Sequence, residues 1–364
     1  MTEWKEYKLG EVIKTNVESI GKDYPYSKIL YLDTGSITRN NIDQYQEFEL
    51  DKAPSRAKRL VKQDDIIYSS VRPNQLHYGY ITNPANNLVV STGFVTITCN
   101  KEYIEPKFLY YYLTQENITE YLHSVAEAST SAYPSLKPSD IEFLDISLPP
   151  LPEQIRIASI LSSLDDKIDL LHRENKTLET MAETLFRQWF IEEAKEDWEE
   201  GKLGDLIEIK YGKDHKKLED GKIPVIGSGG IMRYANTSLY DKESVLIPRK
   251  GSLNNVMYIN KPFWTVDTMF YTKMLKPNTA KFVYHFMKGL DLANMNVGSA
   301  VPSMTTEVLN NIPIDIPPQD VFDKFENHVG NLYRKMEDNN KQIQTLIQQR
   351  DALLPKLMSG EVKI

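Results

Sequence analysis

Cysteine is nearly missing from this chain: one, Cys99, in 364 residues. A single thiol excludes an internal disulfide and any zinc site built from several cysteines. Its setting, "FVTITCN", reads as a small residue in a strand. Long apolar runs are missing too. No stretch approaches the roughly 18 apolar residues of a membrane span, and "MTEWKEYKLGEV" carries no apolar run of the kind a secretion signal needs. A cytoplasmic protein without membrane contact is expected. The six histidines never fall at metal-ligand spacing, so no metal site is expected. Excess positive charge is also lacking: 43 basic groups stand against 51 acidic, a net charge of −8. Residues 1–150 hold 15 basic and 20 acidic groups, whereas residues 198–316 hold 15 and 13. Any nucleic-acid surface must therefore be a local patch.

What is present is written twice. "WKEYKLGEVI" (4–13) and "WEEGKLGDLI" (198–207) share six of ten residues. "AYPSL" (132–136) matches "AVPSM" (300–304), and Pro149-Pro150 match Pro317-Pro318. Between these blocks lie β-rich segments of different sequence. In the first, "DDIIYSSV", "HYGYIT" and "NLVVSTGFVTITC" alternate as strands do; in the second, "KIPVIG", "ESVLIPRKG", "NVMYIN" and "FWTVDTMFYTKML" do. "PKFLYYYLTQ" and "AKFVYHFMKGL" read as helices.

After each Pro-Pro a long amphipathic helix follows. Apolar residues from Ile157 to Trp189 recur at alternating steps of four and three, and those from Phe325 to Leu357 repeat the rhythm at a constant offset of 168. This is a heptad seam. The fold class expected is α+β: two globular domains of mixed α/β structure separated by two long helices forming an antiparallel coiled coil, with an internal pseudo-two-fold repeat. The expected segments are 1–150, a helix over 151–197, 198–316, and a helix over 317–364. A register follows by placing the axis at the midpoint of each seam. It sets Asn175 opposite Asn339, the seam's only asparagines, and Trp189 opposite Phe325. Arg350 falls opposite Leu164, so its guanidinium must turn outward or meet an acid such as Asp165.

This plan, with "LPPLPEQIRIASILSSLDDKIDLLHRENKTLETMAETLFRQWF" (148–190), the openings at Trp4 and Trp198, and "LLPKLMSGEV" (353–362), resembles the specificity subunit of type I restriction–modification enzymes. The resemblance covers the whole chain. It implies two target recognition domains, each reading half of a bipartite sequence in double-stranded DNA, and helices that set the spacing. It further implies two methylation subunits as partners, with restriction subunits in the full complex. S-adenosylmethionine and ATP would then sit on those partners, and this chain would hold no cofactor. The second helix departs from the pattern: "IPPQDVFDKF" lacks the second proline and the Glu-Gln of Pro152-Glu153-Gln154.

No catalytic residues are expected. "TNPANN" and "DIPPQD" both fail as an adenine-methylation motif, and "GSGG" is not a dinucleotide fingerprint. The competing readings are an enzyme with an unrecognised site and a non-catalytic coiled-coil adaptor that binds only proteins.

Base edges are read by Arg, Asn, Gln, Ser or Thr on loops, and phosphates by Lys and Arg. In the first domain the candidates are Arg72, Asn74 and Gln75 on a proline-broken loop, then Ser129, Ser131, Tyr133 and Lys137. In the second they are Lys213, Lys216 and Lys217, Arg233 after the glycine-rich "GSGG", the loop residues Arg249, Lys250, Ser252 and Asn254, and Ser299 and Ser303. The Arg72 and Arg249 loops rank first, each following a strand.

Overall fold

The two shared sequence blocks of each repeat meet in space. In the computed structural model, which describes residues 4–128, 135–295, 303–362 and 364, strand Lys5–Lys8 pairs antiparallel with Asp145–Leu148, Lys5 facing Leu148. Strand Glu199–Lys202 pairs likewise with Pro313–Ile316, Glu199 facing Ile316. The bonds Leu9 N→Leu144 O and Leu203 N→Ile312 O, both 2.9 Å, are copies as well. The glycine common to both openings has a steric reason. A Cβ on Gly10 would lie 3.2 Å from Glu142 Cβ, and one on Gly204 would lie 3.2 Å from Asn310 Cβ. The repeat is thus a closed structural unit whose ends are tied by a two-stranded ladder.

The chain divides into two compact units, Met1–Leu170 with Gln342–Ile364, and Leu171–Lys341. Each contains one globular domain and a part of both long helices, so the units cut across the four segments read from sequence. The central helix runs Leu151–Arg187 and ends in a π turn, Gln188–Glu192. The C-terminal helix runs Gln319–Met358.

Each domain is built on the same four-stranded antiparallel sheet. In the first its order is Ile13–Thr15, Phe94–Cys99, Ile66–Ser69, Tyr78–Tyr80; in the second it is Ile207–Tyr211, Met269–Met274, Ser244–Pro248, Met257–Ile259. The helix after the six-residue strand of this sheet, Pro106–Leu113 or Ala280–Lys288, carries much of the core, with Phe108 and Leu109, or Phe282 and Val283, almost fully buried. The second sheet differs. The first domain has four strands, Gln46–Glu49, Lys28–Leu32, Leu88–Ser91 and Ala57–Leu60, whereas the second has three, Gly230–Ala235, Asp220–Gly227 and Trp264–Thr265. Helix Glu116–Glu127 and the strands at 28–32 and 46–49 escape the sequence reading. Their residues are sorted by packing within the domain, Thr119, Leu122 and Ala126 of the helix being buried.

The helix seam behaves as the register requires. In the first unit, Ile157 and Leu161 share a core with Leu357 and Leu353. Arg350 Nη1 meets Asp165 Oδ1 at 2.8 Å, and Tyr111 donates to Asp165 Oδ2 at 2.7 Å. In the second unit, Asn339 Nδ2 donates to Asn175 Oδ1 at 2.9 Å, and the Trp189 and Phe325 rings meet tilted with centroids 6.1 Å apart. Within each unit one helix number rises as the other falls, so the stretches run antiparallel. Asn339 is 1% exposed. Its amide also donates to Glu174 Oε2 at 2.9 Å, while Asn175 Nδ2 donates to Asn340 Oδ1 at 2.9 Å. A buried amide that finds its partner in only one register pins that register. Asn339→Ala should cost about 1–3 kcal/mol by stranding the Asn175 amide. Replacing both asparagines with leucine should recover most of that loss. Thermal unfolding of the two variants measures this, and equal losses would contradict a paired amide.

The departure at the second helix start also has a structural account. Gln154 is 1% exposed. Its Oε1 accepts from Glu105 N at 2.9 Å, and its Nε2 donates to Tyr103 O at 3.0 Å and Pro149 O at 2.8 Å. The glutamine therefore bolts the first domain to its helix. At the matching place the second unit has the buried Phe322. The loop carbonyl there, Pro277 O, is taken instead by Gln319 Nε2 at 3.0 Å. Among the described residues, no helix is long and apolar enough to cross a membrane.

Candidate nucleic-acid interface

The loop that follows strand Ile66–Ser69, and its counterpart after Ser244–Pro248, are held the same way. Val71 bridges Ser135, and Lys250 bridges Ser303. Leu136 N donates to Ser70 O at 2.7 Å, and Met304 N donates to Arg249 O at 2.9 Å. The next residue in each loop is left-handed: Arg72 at φ 47° and Gly251 at φ 86°. Structure thus pairs Arg72 with Gly251, two residues beyond the Arg249 that sequence places there. Gly251 is required twice over, because a Cβ there would also lie 2.8 Å from Ser228 Oγ.

In the first domain, Arg72, Asn74 and Gln75 are exposed around the short 3-10 turn Pro73–Gln75. Pro73 is buried beneath them, and helix Glu116–Glu127 packs against the turn. The loop is therefore a fixed platform with polar tips. Lys137 is exposed on the strand-bridging leg, where its backbone N–H donates to Asp140 Oδ2 at 2.7 Å. Ser129, Ser131, Tyr133 and Ser299 lie outside the described residues.

In the second domain the candidates divide into exposed tips and braces. Lys250 and Ser252 are exposed. Arg249 is half-buried, donating to Asp267 O at 3.1 Å with its guanidinium 5.4 Å from the Tyr211 ring centroid. Asn254 spends its amide on Asp291 Oδ1 at 3.2 Å and on the Ala293 N–H at 3.0 Å. Ser303 is half-buried at the bridge. Arg233 donates to Leu218 O at 2.5 Å and lies 3.6 Å from Asp220, so it clamps the 211–220 loop. On that loop Lys213, Lys216 and Lys217 are exposed. Trp264 Nε1 holds its start, donating to Lys213 O at 2.9 Å, and Asp214 Oδ1 accepts from Lys216 N at 3.1 Å. That backbone bond holds the Asp214 carboxyl below its ordinary range. The Ser228 turn joins the Arg249 loop through Asn255 Nδ2→Ser228 O at 2.7 Å. Segments 211–217, 226–233 and 249–254 therefore form one surface, and three separate sequence candidates become neighbours.

One neighbour of the Arg72 loop lies outside the candidates read from sequence. The turn Thr38–Asn41 abuts the Arg72 loop, Arg39 N donating to Leu76 O at 2.8 Å. Its signal, an Arg-Asn pair inside "ITRNNI", is a weak form of the two-residue hairpin signature.

Two domains of one design, with a constant sheet and different tips, agree with comparisons to known proteins. The model of the type I restriction modification DNA specificity domain matches residues 1–180 and 195–346. The HindI specificity subunit of Haemophilus influenzae is 22% identical over all of both chains. The MjaIX specificity subunit of Methanocaldococcus jannaschii is 26% identical, covering 100% of this chain and 97% of that one. Among solved structures, a type I restriction-modification system S subunit from M. genitalium is similar in fold, with a TM-score of 0.63 at 20% identity, over 98% of this chain and 96% of that one. With both repeats matched, the chain belongs to the type I restriction modification DNA specificity family.

Proposed function

We propose that this chain is the sequence-reading, non-catalytic subunit of a type I restriction–modification complex, each domain reading one half of a bipartite site in double-stranded DNA. The observation that carries the reading is the repeated loop: the same strand bridge and the same left-handed residue present different polar tips in the two domains. A fixed scaffold with variable tips is what reading two unrelated half-sites requires. Methylation subunits, binding S-adenosylmethionine, and restriction subunits, using ATP, would supply the chemistry. With a net charge of −8, the free chain should grip DNA weakly and tighten on assembly.

The test is to assemble the chain with its methylation subunits and map methylated adenines genome-wide. A two-part motif with a fixed gap is expected. Assembly without DNA dependence would instead leave a protein-binding adaptor. In the same complex, Arg72→Ala should lose about 1–3 kcal/mol of discrimination at one half-site, the range of a bidentate guanine contact. The exposed lysines at 213, 216 and 217 should weaken binding uniformly when replaced and flatten its salt dependence. Unchanged affinity and motif in both Arg72→Ala and Arg249→Ala would remove these loops from the interface.

A further inference from the structure

We propose that the turn Thr38–Asn41 is a second reading element of the first domain, with Arg39 contacting base edges beside the Arg72 loop. This rests on the DNA-reading function above. The backbone argues first. Arg39 and Asn40 have φ of 48° and 65°, both left-handed, between paired strands Ile37–Thr38 and Asn41–Ile42. Two-residue hairpins of this type favour Asn-Gly, because both central residues need positive φ. Asparagine tolerates that conformation, but arginine pays a strain cost there and gains nothing in folding from its side chain. Arg39 is exposed, so packing does not explain its presence.

The turn is also rigid. Asn40 N donates to Tyr78 O at 2.8 Å, and Asn40 Oδ1 accepts from Tyr80 N at 2.7 Å. His77 Nδ1 lies 2.5 Å from Ile37 O, and Ile37 itself is fully buried. Gly79 beneath it has no room for a side chain, since a Cβ would sit 2.5 Å from Ile37 Cδ1. Asn40, though exposed, braces the turn through these bonds, while the Arg39 and Asn41 side chains are exposed on a fixed frame. Residues 76–78, to which the turn is bonded, are the returning leg of the Arg72 loop. Two arginines thus stand on adjoining rigid turns. None of the ion pairs among the described residues neutralises either guanidinium.

The electrostatic setting agrees. Burial pushes up the Tyr78 and Tyr110 hydroxyls, and the positive charges of Arg39 and Arg350 oppose that shift at both. The fixed backbone of the turn sets where the Arg39 guanidinium can fork onto a guanine edge. The corresponding turn of the second domain, Ser228–Gly229 between paired Gly227 and Gly230, carries no long side chain. The element is therefore private to one half-site.

The experiment uses the complex with its methylation subunits and a duplex library randomised across both half-sites. Arg39→Gly keeps the left-handed turn while deleting the side chain, and Arg39→Lys keeps the charge without the fork. Both variants are expected to lose discrimination about 5- to 150-fold at one or two base pairs of a single half-site. Lys should retain the overall affinity and its salt dependence; Gly should not. A motif untouched by Arg39→Gly, or a uniform loss with an unchanged motif, overturns the proposal, the second meaning a phosphate contact only. Changes in both half-sites overturn it too. A wild-type complex that selects no sequence overturns the function on which it rests.

Discussion

Exchanging residues 15–140 for the matching segment of another family member should replace one half of the DNA motif and leave the other half unchanged. The exchanged segment holds the Arg72 loop, the Thr38–Asn41 turn and the leg at Ser135–Lys137. It spares the closing ladder between Lys5–Lys8 and Asp145–Leu148 and both long helices. The graft therefore joins scaffold to scaffold. Each mismatched base pair typically costs about 1–3 kcal/mol, roughly additively. Re-specifying several pairs should thus shift preference by orders of magnitude toward the donor's half-site. Methylation mapping of the chimera reads this directly, and a change in both halves would contradict two independent readers.

Lys281→Met should destabilise the second unit by about 3 kcal/mol. Lys281 is 4% exposed, with Nζ 2.9 Å from Glu243 Oε1 and 2.7 Å from Glu326 Oε1. The ammonium also lies 5.2 Å and 5.5 Å from the ring centroids of Tyr258 and Tyr333. One cation thus joins the strand edge of the domain to the C-terminal helix. Methionine fills similar volume but leaves two carboxylates facing each other without a counter-charge. Those carboxylates keep some solvent, which puts the cost at the lower end for a broken buried pair. Adding Glu243→Gln and Glu326→Gln should restore much of the loss. Urea unfolding, with hydrogen exchange to locate the weakened unit, is the measurement; a loss under about 1 kcal/mol, or no rescue, would show the pair to be dispensable.

The other polar contacts between domain and helix also differ between the two units. Tyr111 reaches Asp165, whereas in the second unit His285 Nε2 lies 2.9 Å from the Tyr333 hydroxyl. Burial, reinforced by Lys288, lowers the His285 pKa to about 4, so the ring stays neutral at pH 7. Lys107, which matches Lys281 in the repeat, is only half-buried and rests 5.9 Å from the Tyr80 ring centroid. The two domains therefore dock on their helices by different polar networks.

The sequence by itself determined whatever is periodic or duplicated. The repeat, the α+β class, the two docking helices Pro106–Leu113 and Ala280–Lys288, and the antiparallel stretches within each unit were all legible. So was the asparagine pair, because a heptad seam with one amide per helix has one register that satisfies both. The same arithmetic left Arg350 to turn outward or meet an acid such as Asp165, and the structure shows the second. Periodicity exposes these features because each depends on residues a fixed step apart. The tertiary structure alone decided the rest. Loop equivalence shifted by two residues, matching Arg72 with Gly251, because a strand bridge and a backbone angle set it rather than residue type. Arg233 and Asn254, chosen as exposed donors, became braces, since a side chain's partners depend on segments distant in sequence. The Thr38–Asn41 turn came to lie beside the Arg72 loop for the same reason. Its place beside Arg72 is fixed by hydrogen bonds to residues 76–80, some 40 positions along the chain, and no local pattern encodes contacts at that separation.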